Sequence, residues 1–401
     1  MSEFQLYDFR SIDRPLTDTA RKTIASWSSR SKVSATKAVF TYSYGDFPQD
    51  IEEVTAQYFD MALYLTSYGT RQIVFRFPLK DVDYKALSAF DIDGSEATGY
   101  TTGIAIRKKG EFALVNIEYC DDDSSSWIDE EDNSLDDFLP LRDDILRGDY
   151  RSLFVFWLQI AYKINGEDLY EDDDNDDDDE DEYDGNEAES LVMPPIPANL
   201  KTKSGALSGF MDFFGIDEDL VAAAATFSEN TKTSEPNFEQ LLTQLSEKEK
   251  TDWLSRLLKG ETRLDAALKK RLLQFQTREK QSSKKVTLNQ VLALVGEKES
   301  EREAQAAVDA HNAHVKKMND LAKKEASLWI SVENDLASKS HKQHDAGVQT
   351  MKDLYEMALY FNKNDHFLRK FRSILELFNT SKAKIDRMVK AGLPFNELHD
   401  I

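Results

Sequence analysis

The chain predicts an α+β protein: a small α/β sandwich at the N-terminal end, an acidic disordered linker, and an all-α helical bundle at the C-terminal end. Three observations carry this expectation. Residues 171–189 hold fourteen Asp or Glu and no Lys or Arg, a block that repels itself and has no apolar side chains to offset the entropy of ordering. Ahead of it, strand-period and helix-period runs alternate. Behind it, only helical spacing remains. The domains that follow are an α/β N-terminal domain over 1–166, an acidic and Pro-containing flexible linker over 167–204, and a helical C-terminal domain over 205–401.

Residues 4–12 partly alternate and predict a strand; Asp13-Arg14-Pro15-Leu16-Thr17 then breaks it and offers Thr17 as the N-cap of a short helix to Trp27. Residues 33–44 (VSATKAVFTYSY) are β-branched and aromatic and stop at Gly45-Asp46. Over 51–68, Val54, Tyr58, Met61, Leu65 and Tyr68 recur at three- and four-residue steps, which predicts one helix. A strand over 72–77 (QIVFRF) is closed by Pro78, and 103–119 divides at Lys108-Lys109-Gly110 into a hairpin. Residues 121–126 read as a polar loop, and 135–164 carry helical spacing that ends at Asn165-Gly166. The prolines of 193–204 (MPPIPANLKTKS) predict an extended tether that continues the linker.

Beyond Gly205 the signals are helical. Asn237 with Gln240 and Ser246 with Glu249 have capping-box spacing, so helices begin at Phe238 and Glu247, the second closing near Gly260. Residues 297–337 lack Gly and Pro, and Val315, Met318, Ala322, Trp329, Val332 and Leu336 largely keep a four-three rhythm, which predicts one long helix packed along a groove. Helices over 348–361, 367–378 and 385–389 follow, with Gly392-Leu393-Pro394 as a stop.

The 401 residues, 40% apolar and 11% aromatic, suffice for two packed domains. Of a net charge of -24, fourteen negative charges lie in the one acidic run. A field of that sign disfavours duplex DNA and anionic lipid as partners of the whole molecule and favours basic proteins or cations. Cys120 is the single cysteine, so disulfide and multi-cysteine zinc frameworks are excluded and a reducing cytoplasm is expected. The charged start MSEFQLYDFR is unlike a signal peptide. The most apolar stretch, 153–164, is shorter than the roughly 20 residues of a membrane span and reads as a buried helix.

No Gly-x-Ser-x-Gly elbow, Walker loop, dinucleotide-binding glycine pattern or His-Glu-x-x-His occurs; no catalytic residue, cofactor or metal is therefore expected. His311 with His314 and His341 with His344 are each three apart, and the two pairs would make a four-nitrogen site if the chain doubled back; solvated side chains are the plainer reading. Residues 91–96 start like a calcium loop but lack its full ligand spacing, so an ordinary turn is expected. Cys120 at a strand end reads as a packed thiol.

Contact residues are sought at two places. Between 248 and 285 there are twelve Lys or Arg against five acids, including Lys269, Lys270 and Arg271. This patch is either a solvated helix face with internal ion pairs or a polyanion surface over which the acidic run competes. In the N-terminal part, Arg14, Arg30, Asp46, Asp60 and Arg71 sit at turn positions, either lining a partner surface or serving as turn formers and structural ion pairs.

Tyr7-Asp8-Phe9, Ile12-Asp13-Arg14-Pro15-Leu16-Thr17, Ser28-Ser29-Arg30, Tyr44-Gly45-Asp46, Tyr58-Phe59-Asp60 and Tyr68-Gly69-Thr70-Arg71, followed by residues 215–222, 287–293, 345–354 and 385–393, give the chain its resemblance. It resembles, over nearly its full length apart from the acidic run, a family of bacterial cytoplasmic proteins without established function. Members look like companions of proteins bearing a SWIM-type zinc finger, so the resemblance implies a zinc-finger or nucleic-acid-binding partner; with one cysteine this chain is not that finger. The function expected is a non-enzymatic cytoplasmic adaptor or scaffold that binds protein partners through its helical domain, without membrane association. The alternative is a nucleic-acid-associated regulator that uses the basic 248–285 helices, with the acidic run as an autoinhibitory competitor.

Overall fold

The computed structural model describes residues 4–43, 45–120, 134–167, 191–230, 238–260, 264–273, 275, 286–378 and 382–399, without the side chains of 166, 167, 265–267, 270 and 273. The fold is α+β. The acidic run and the 121–126 loop lie outside the described residues. Two compact units are present, 1–299 and 300–401.

The first unit is built on one antiparallel sheet of eight strands, β1 (Gln5–Arg10), β2 (Lys32–Val33), β3 (Lys37–Tyr42), β4 (Met61–Thr66), β5 (Arg71–Pro78), β6 (Ile92–Asp93), β7 (Gly103–Lys109) and β8 (Phe112–Tyr119), in the order β2-β3-β1-β4-β5-β8-β7-β6. Helix α1 (Asp18–Ala25) starts on the expected cap, Thr17 accepting from the Ala20 N–H, and α2 (Ile51–Tyr58) on Asp50, which accepts from Glu53. Strand alternation sends Tyr7, Phe9, Phe40, Ala62 and Val74 to the α1/α2 face, where they pack with Ile24, Val54 and Phe59. Leu63, Ile73, Phe75, Val115 and Ile117 point to the opposite face.

The helix expected over 51–68 ends at Tyr58, and Met61–Thr66 is the central strand β4. Met61, Ala62, Leu63 and Leu65 are buried, Ala62 on one face and its neighbours on the other. A strand apolar on both faces shows no alternation, so its residues fall at helical steps by coincidence.

The end of this strand is fixed by a buried carboxylate. Asp60 Oδ2 accepts the backbone N–H groups of Ile12 (2.6 Å) and Asp13 (2.8 Å), and its Oδ1 accepts from Arg76 Nη2 at 2.7 Å. Arg76 also donates to the Ala56 carbonyl at the end of α2 (2.9 Å) and lies 4.6 Å over the Phe112 ring. Asp13 in turn accepts from Arg142 Nη2 at 3.0 Å, whose guanidinium lies 5.6 Å over Phe77. Asp60 and Arg142 are both 2% exposed. One chain of charges thus ties the β1–α1 loop, α2, β5 and a helix of the opposite layer.

That opposite layer comprises a 3-10 turn (Leu135–Phe138) and α5 (Leu139–Arg147) and α6 (Arg151–Glu167), separated by Gly148 at φ +84° where the sequence predicts continuous helical spacing. The short helices α3 (Tyr84–Leu87) and α4 (Ser95–Thr98) precede it; residues 91–96, expected as an ordinary turn, instead run from β6 through Gly94 into α4, with Asp93 accepting from the Ser95 N–H. Phe154, Val155, Phe156, Trp157, Leu158 and Ile160 are all buried, so α6 is apolar all round and needs cover on every side. The cover comes from helices that follow the acidic run, α7 (Gly205–Phe214), α8 (Glu218–Ala225) and α12 (Leu288–Leu292). Phe210 and Phe214 of α7 meet Phe156 at ring separations of 6.5 and 4.9 Å.

The domain boundary at 205 is therefore displaced: helices assigned to the C-terminal bundle share the core of the sheet. The expected tether over 193–204 is likewise part of that core, with Ile196, Ala198 and Leu200 buried. Composition marks where the acidic run lies but carries no information on which core the following helices complete. Between α8 and α12 stand α9 (Phe238–Leu242), α10 (Glu247–Leu258) and α11 (Leu264–Leu273).

The second unit contains the greater part of α13 (Val295–Ala337), then α14 (His341–Tyr360), α15 (Asn364–Phe378), α16 (Lys382–Lys390) and a 3-10 turn (Phe395–His399). The single long helix expected over 297–337 is present, and its stripe of Met318, Trp329, Val332 and Leu336 packs with Val348, Met351, Leu354, Phe367 and Phe371. Gly347 permits the close approach of α14: a Cβ there would lie 3.0 Å from Asp335 Cβ. Glu397 folds the end back by accepting from Tyr355 Oη (2.8 Å) and Asn364 Nδ2 (2.6 Å). Among the described residues no helix is long and apolar enough to cross a membrane.

Asp60→Ala leaves a buried guanidinium and two backbone N–H groups unpaired and is expected to destabilise the first unit by about 3–5 kcal/mol in chemical denaturation. Adding Arg76→Met should recover part of that loss. A cost under about 1 kcal/mol, the range of exposed pairs, would show that the clasp is dispensable.

Candidate partner-binding surfaces

The residues singled out in the sequence do not converge on one site. Arg14 and Arg30 are exposed, and Asp46 is exposed with its Oδ1 accepting from Gln5 Nε2 at 3.1 Å. Asp60 is the buried centre of the clasp. Arg71 donates to the Phe213 carbonyl and lies 5.7 Å over the Phe213 ring, joining β5 to α7. Asp60 and Arg71 thus follow the structural reading, because burial gives each a fixed intramolecular partner. Lys269 is exposed, the Lys270 side chain lies outside the described residues, and Arg271 donates to Glu249 Oε1 through Nε (3.0 Å) and Nη2 (2.7 Å) while stacking 4.4 Å over Phe275.

The histidine pairs are separated. His314 faces Glu356 (3.6 Å) and Tyr360 at the C-terminal end of α14, whereas His341 and His344 begin that helix, about 22 Å away along its axis. His341 Nδ1 accepts from Arg387 at 3.0 Å, and His344, expected to be solvated, is 8% exposed with Nε2 2.7 Å from the Ser338 carbonyl. His344 serves the turn between α13 and α14, where its ring, donating through Nε2, satisfies a helix-end carbonyl. Cys120 is partly buried and its Sγ accepts from Thr70 Oγ1 at 3.6 Å.

Two surfaces emerge instead. The first is on α9, α10 and α11, which close a satellite core of Leu241, Leu245 and Leu272 with Trp253, Leu268 and Phe275 at its margin. Helix α10 has the expected capping box: Ser246 accepts from the Glu249 N–H while the Glu249 carboxylate accepts from the Ser246 N–H at 3.0 Å. Glu249 also holds Arg271 of α11, so one carboxylate starts α10 and fastens it to its neighbour. Trp253 and Arg256, with the guanidinium 4.2 Å over the indole, complete the inward side. No residue of α10 is buried, and its leucines face outward: Leu254 and Leu257 are each 61% exposed and Leu258 is 88% exposed. Their three- and four-residue spacing puts them on one side of the helix.

The second surface is the α1/α2 face of the sheet beyond the reach of α1. Tyr7, Tyr64, Gln72 and Glu118 form one row across β1, β4, β5 and β8. Tyr7 and Tyr64 stack at 4.4 Å, and Tyr64 Oη lies 3.0 Å from Tyr68 Oη. Burial raises both phenols, Tyr7 up to about 12. Gln72 Nε2 donates to Asn116 Oδ1 (3.0 Å) and to Glu118 Oε2 (3.2 Å). Glu52, from α2, accepts from Asn116 Nδ2 (2.9 Å) and bidentately from Arg107 (2.8 and 3.0 Å). Burial raises the Glu118 carboxyl above its ordinary value and the negative Glu52 adds to the push, against pulls from Asn116 and Arg107.

Sequence reasoning passed over both. The leucines of α10 were visible as Leu254, Leu257 and Leu258 in one helical register, and Asn116 and Glu118 as polar residues two apart in an otherwise apolar strand. Nothing in the sequence says that the first set lacks a packing partner or that the second meets Gln72. No family model, no curated protein and no solved structure matches this chain.

Glu249 supplies a pH test. The Arg271 hydrogen bond first, and then those of Ser246, lower its carboxyl from 4.5 to about 2. A depressed carboxyl stabilises the fold fully above its unfolded value and loses that contribution as pH falls from 4.5 toward 2. Protection of the α10 amides relative to intrinsic exchange is expected to fall across this window in the native chain, and Glu249→Gln to lower it already at neutral pH. Equal protection in the two proteins at neutral pH would contradict the clip.

Proposed function

We propose that this chain is a non-enzymatic cytoplasmic adaptor that binds a protein partner through the helices following the acidic run, with α10 as the docking face. The observation that carries the reading is the outward leucine face of Leu254, Leu257 and Leu258 on a helix that buries none of its own residues. Elsewhere in the first unit the apolar helix faces are largely covered, as on α6, where Phe154, Phe156, Trp157 and Ile160 are buried. An apolar stripe left open on a helix of 12 residues fits the helix-in-groove or helix-on-helix mode of recognition. The zinc-finger or nucleic-acid-binding protein implied by the family resemblance remains the partner class we propose.

Direct binding of nucleic acid by the basic helices is the second reading, and the pairings of this region weigh against it. Arg271 is engaged by Glu249, Lys250 lies 2.8 Å from Glu247, and Arg256 covers Trp253. Charges committed to contacts within α10 or between α10 and α11 contribute little to the phosphate neutralisation on which polyanion affinity depends.

The test is affinity capture in the presence of nuclease, followed by titration of the recovered protein against purified chain. Replacing Leu254 and Leu258 by Glu should weaken that binding by about tenfold or more, as loss of interface anchors does. Circular dichroism and Tm should hardly change, since neither side chain is buried. Undiminished binding by the double variant would overturn the assignment of α10, and capture that vanishes with nuclease would favour the second reading.

A further inference from the structure

The row of polar side chains on the α1/α2 face of the sheet, with Tyr64 and Glu118 its partly exposed members, is absorbed by neither the clasp nor α10. Its centre is Glu118. Among the described residues no Lys, Arg or His forms an ion pair with this carboxylate, although it is partly buried. The cation closest in role, Arg107, is held bidentately by Glu52. Gln72 Nε2 occupies Oε2, which leaves Oε1 as an acceptor. Desolvating a carboxylate without a counter-charge is unfavourable, and proteins maintain such an arrangement where a ligand provides the missing charge.

The surroundings define the shape of that charge. Gln72, 6% exposed, and Asn116, 7% exposed, fix the floor by bonding each other. On the β4 side stands Tyr64, one ring face covered by Tyr7 of β1 and the other toward β5. The Tyr64 and Tyr68 oxygens, 3.0 Å apart, add acceptors beside the ring. A carboxylate, a ring face and several acceptors along one row match a flat guanidinium, which donates from five N–H groups and stacks on aromatic rings. An ammonium would use the carboxylate but not the ring plane. The acids around the face, Glu52, Glu53, Asp46 and Asp50, outnumber the bases Arg107 and Lys109, so the local field has the sign that attracts a cation.

We infer that the Tyr64–Gln72–Glu118 row is a second docking surface, for an arginine side chain carried by a basic segment of a partner protein. It lies on the sheet and is independent of α10. Arginine inserted there forms a charge-assisted bond to Glu118 Oε1 and lies along Tyr64. Because the bond requires the ionised carboxylate, binding weakens as pH falls through the raised Glu118 value, and arginine in place stabilises the charged form.

The test uses the full chain and fluorescein-labelled twelve-residue peptides of Gly, Ser and a central Arg-Gly-Arg, with versions bearing lysine or the neutral isostere citrulline. Anisotropy titration at moderate salt should show the arginine peptide binding the native chain about tenfold more tightly than the citrulline peptide, with lysine between. Glu118→Gln keeps the side-chain shape and the acidic run, and should erase the preference for arginine over citrulline while Tm is retained. Tyr64→Leu should reduce the arginine-over-lysine margin specifically. The inference is overturned if the native chain shows no preference for arginine, or if Glu118→Gln preserves it, which would place the binding on the acidic run. Neither outcome bears on the leucine variants of α10.

Discussion

The buried Asp60–Arg76 pair is the constraint at which the β1–α1 loop, α2, β4 and β5 of the first unit meet. A single carboxylate ends the α2–β4 connection, accepts two backbone N–H groups from the β1–α1 loop and holds a guanidinium that itself grips the end of α2. Ion pairs in low dielectric add little stability relative to a well-packed apolar substitute, yet they permit only one arrangement of the groups they join. Here the arrangement fixes α2 against β5 and β8, and with it the position of Glu52 at the side of the polar sheet face. Arg142 and Asp13 extend the constraint to α5, so both layers refer to the same end of the sheet.

Apolar surface is distributed unevenly in a way that carries functional meaning. Helix α6 has no polar side because it stands between the sheet and α7 and α8, and its aromatic contacts with Phe210 and Phe214 join segments on the two sides of the acidic run into one core. Helix α10 shows the opposite imbalance: it is held by a capping box, the Glu249–Arg271 ion pair and cation–π contacts, and it leaves its leucines outside. Burying a leucine side chain contributes about 1.5–3 kcal/mol, so three such residues left in water represent substantial free energy that a partner surface can use.

Much of this architecture was legible in the sequence, and the failures have specific causes. Local signals succeeded where local chemistry decides: Thr17 caps α1, Ser246 and Glu249 form the capping box, the β7–β8 hairpin turns at Gly110 just after Lys108-Lys109, and the uninterrupted run before Ser338 is one helix. Strand β4 was read as helix because burial on both faces hides its period. The helices at 205–225 were separated from the sheet because composition shows where a chain turns polar, not where it returns. The roles of Asp60 and Arg71 as turn charges were foreseen as one of two readings, but their partners, Arg76 and the Phe213 carbonyl, are long-range and leave no local trace. The site was less legible than the fold, since an exposed leucine and a glutamate with no ion-pair partner among the described residues are recognised only once everything else has been placed.

The central claim, that α10 is a protein-docking helix, is tested most directly by site-specific photo-crosslinking in living cells. A photoreactive side chain at position 258 is compared with the same group at exposed Lys22 of α1. The account predicts one adduct of defined mass at 258, absent at 22 and lost when Leu254 is replaced by Glu. Indistinguishable adducts at the two positions, or none at 258, would contradict it.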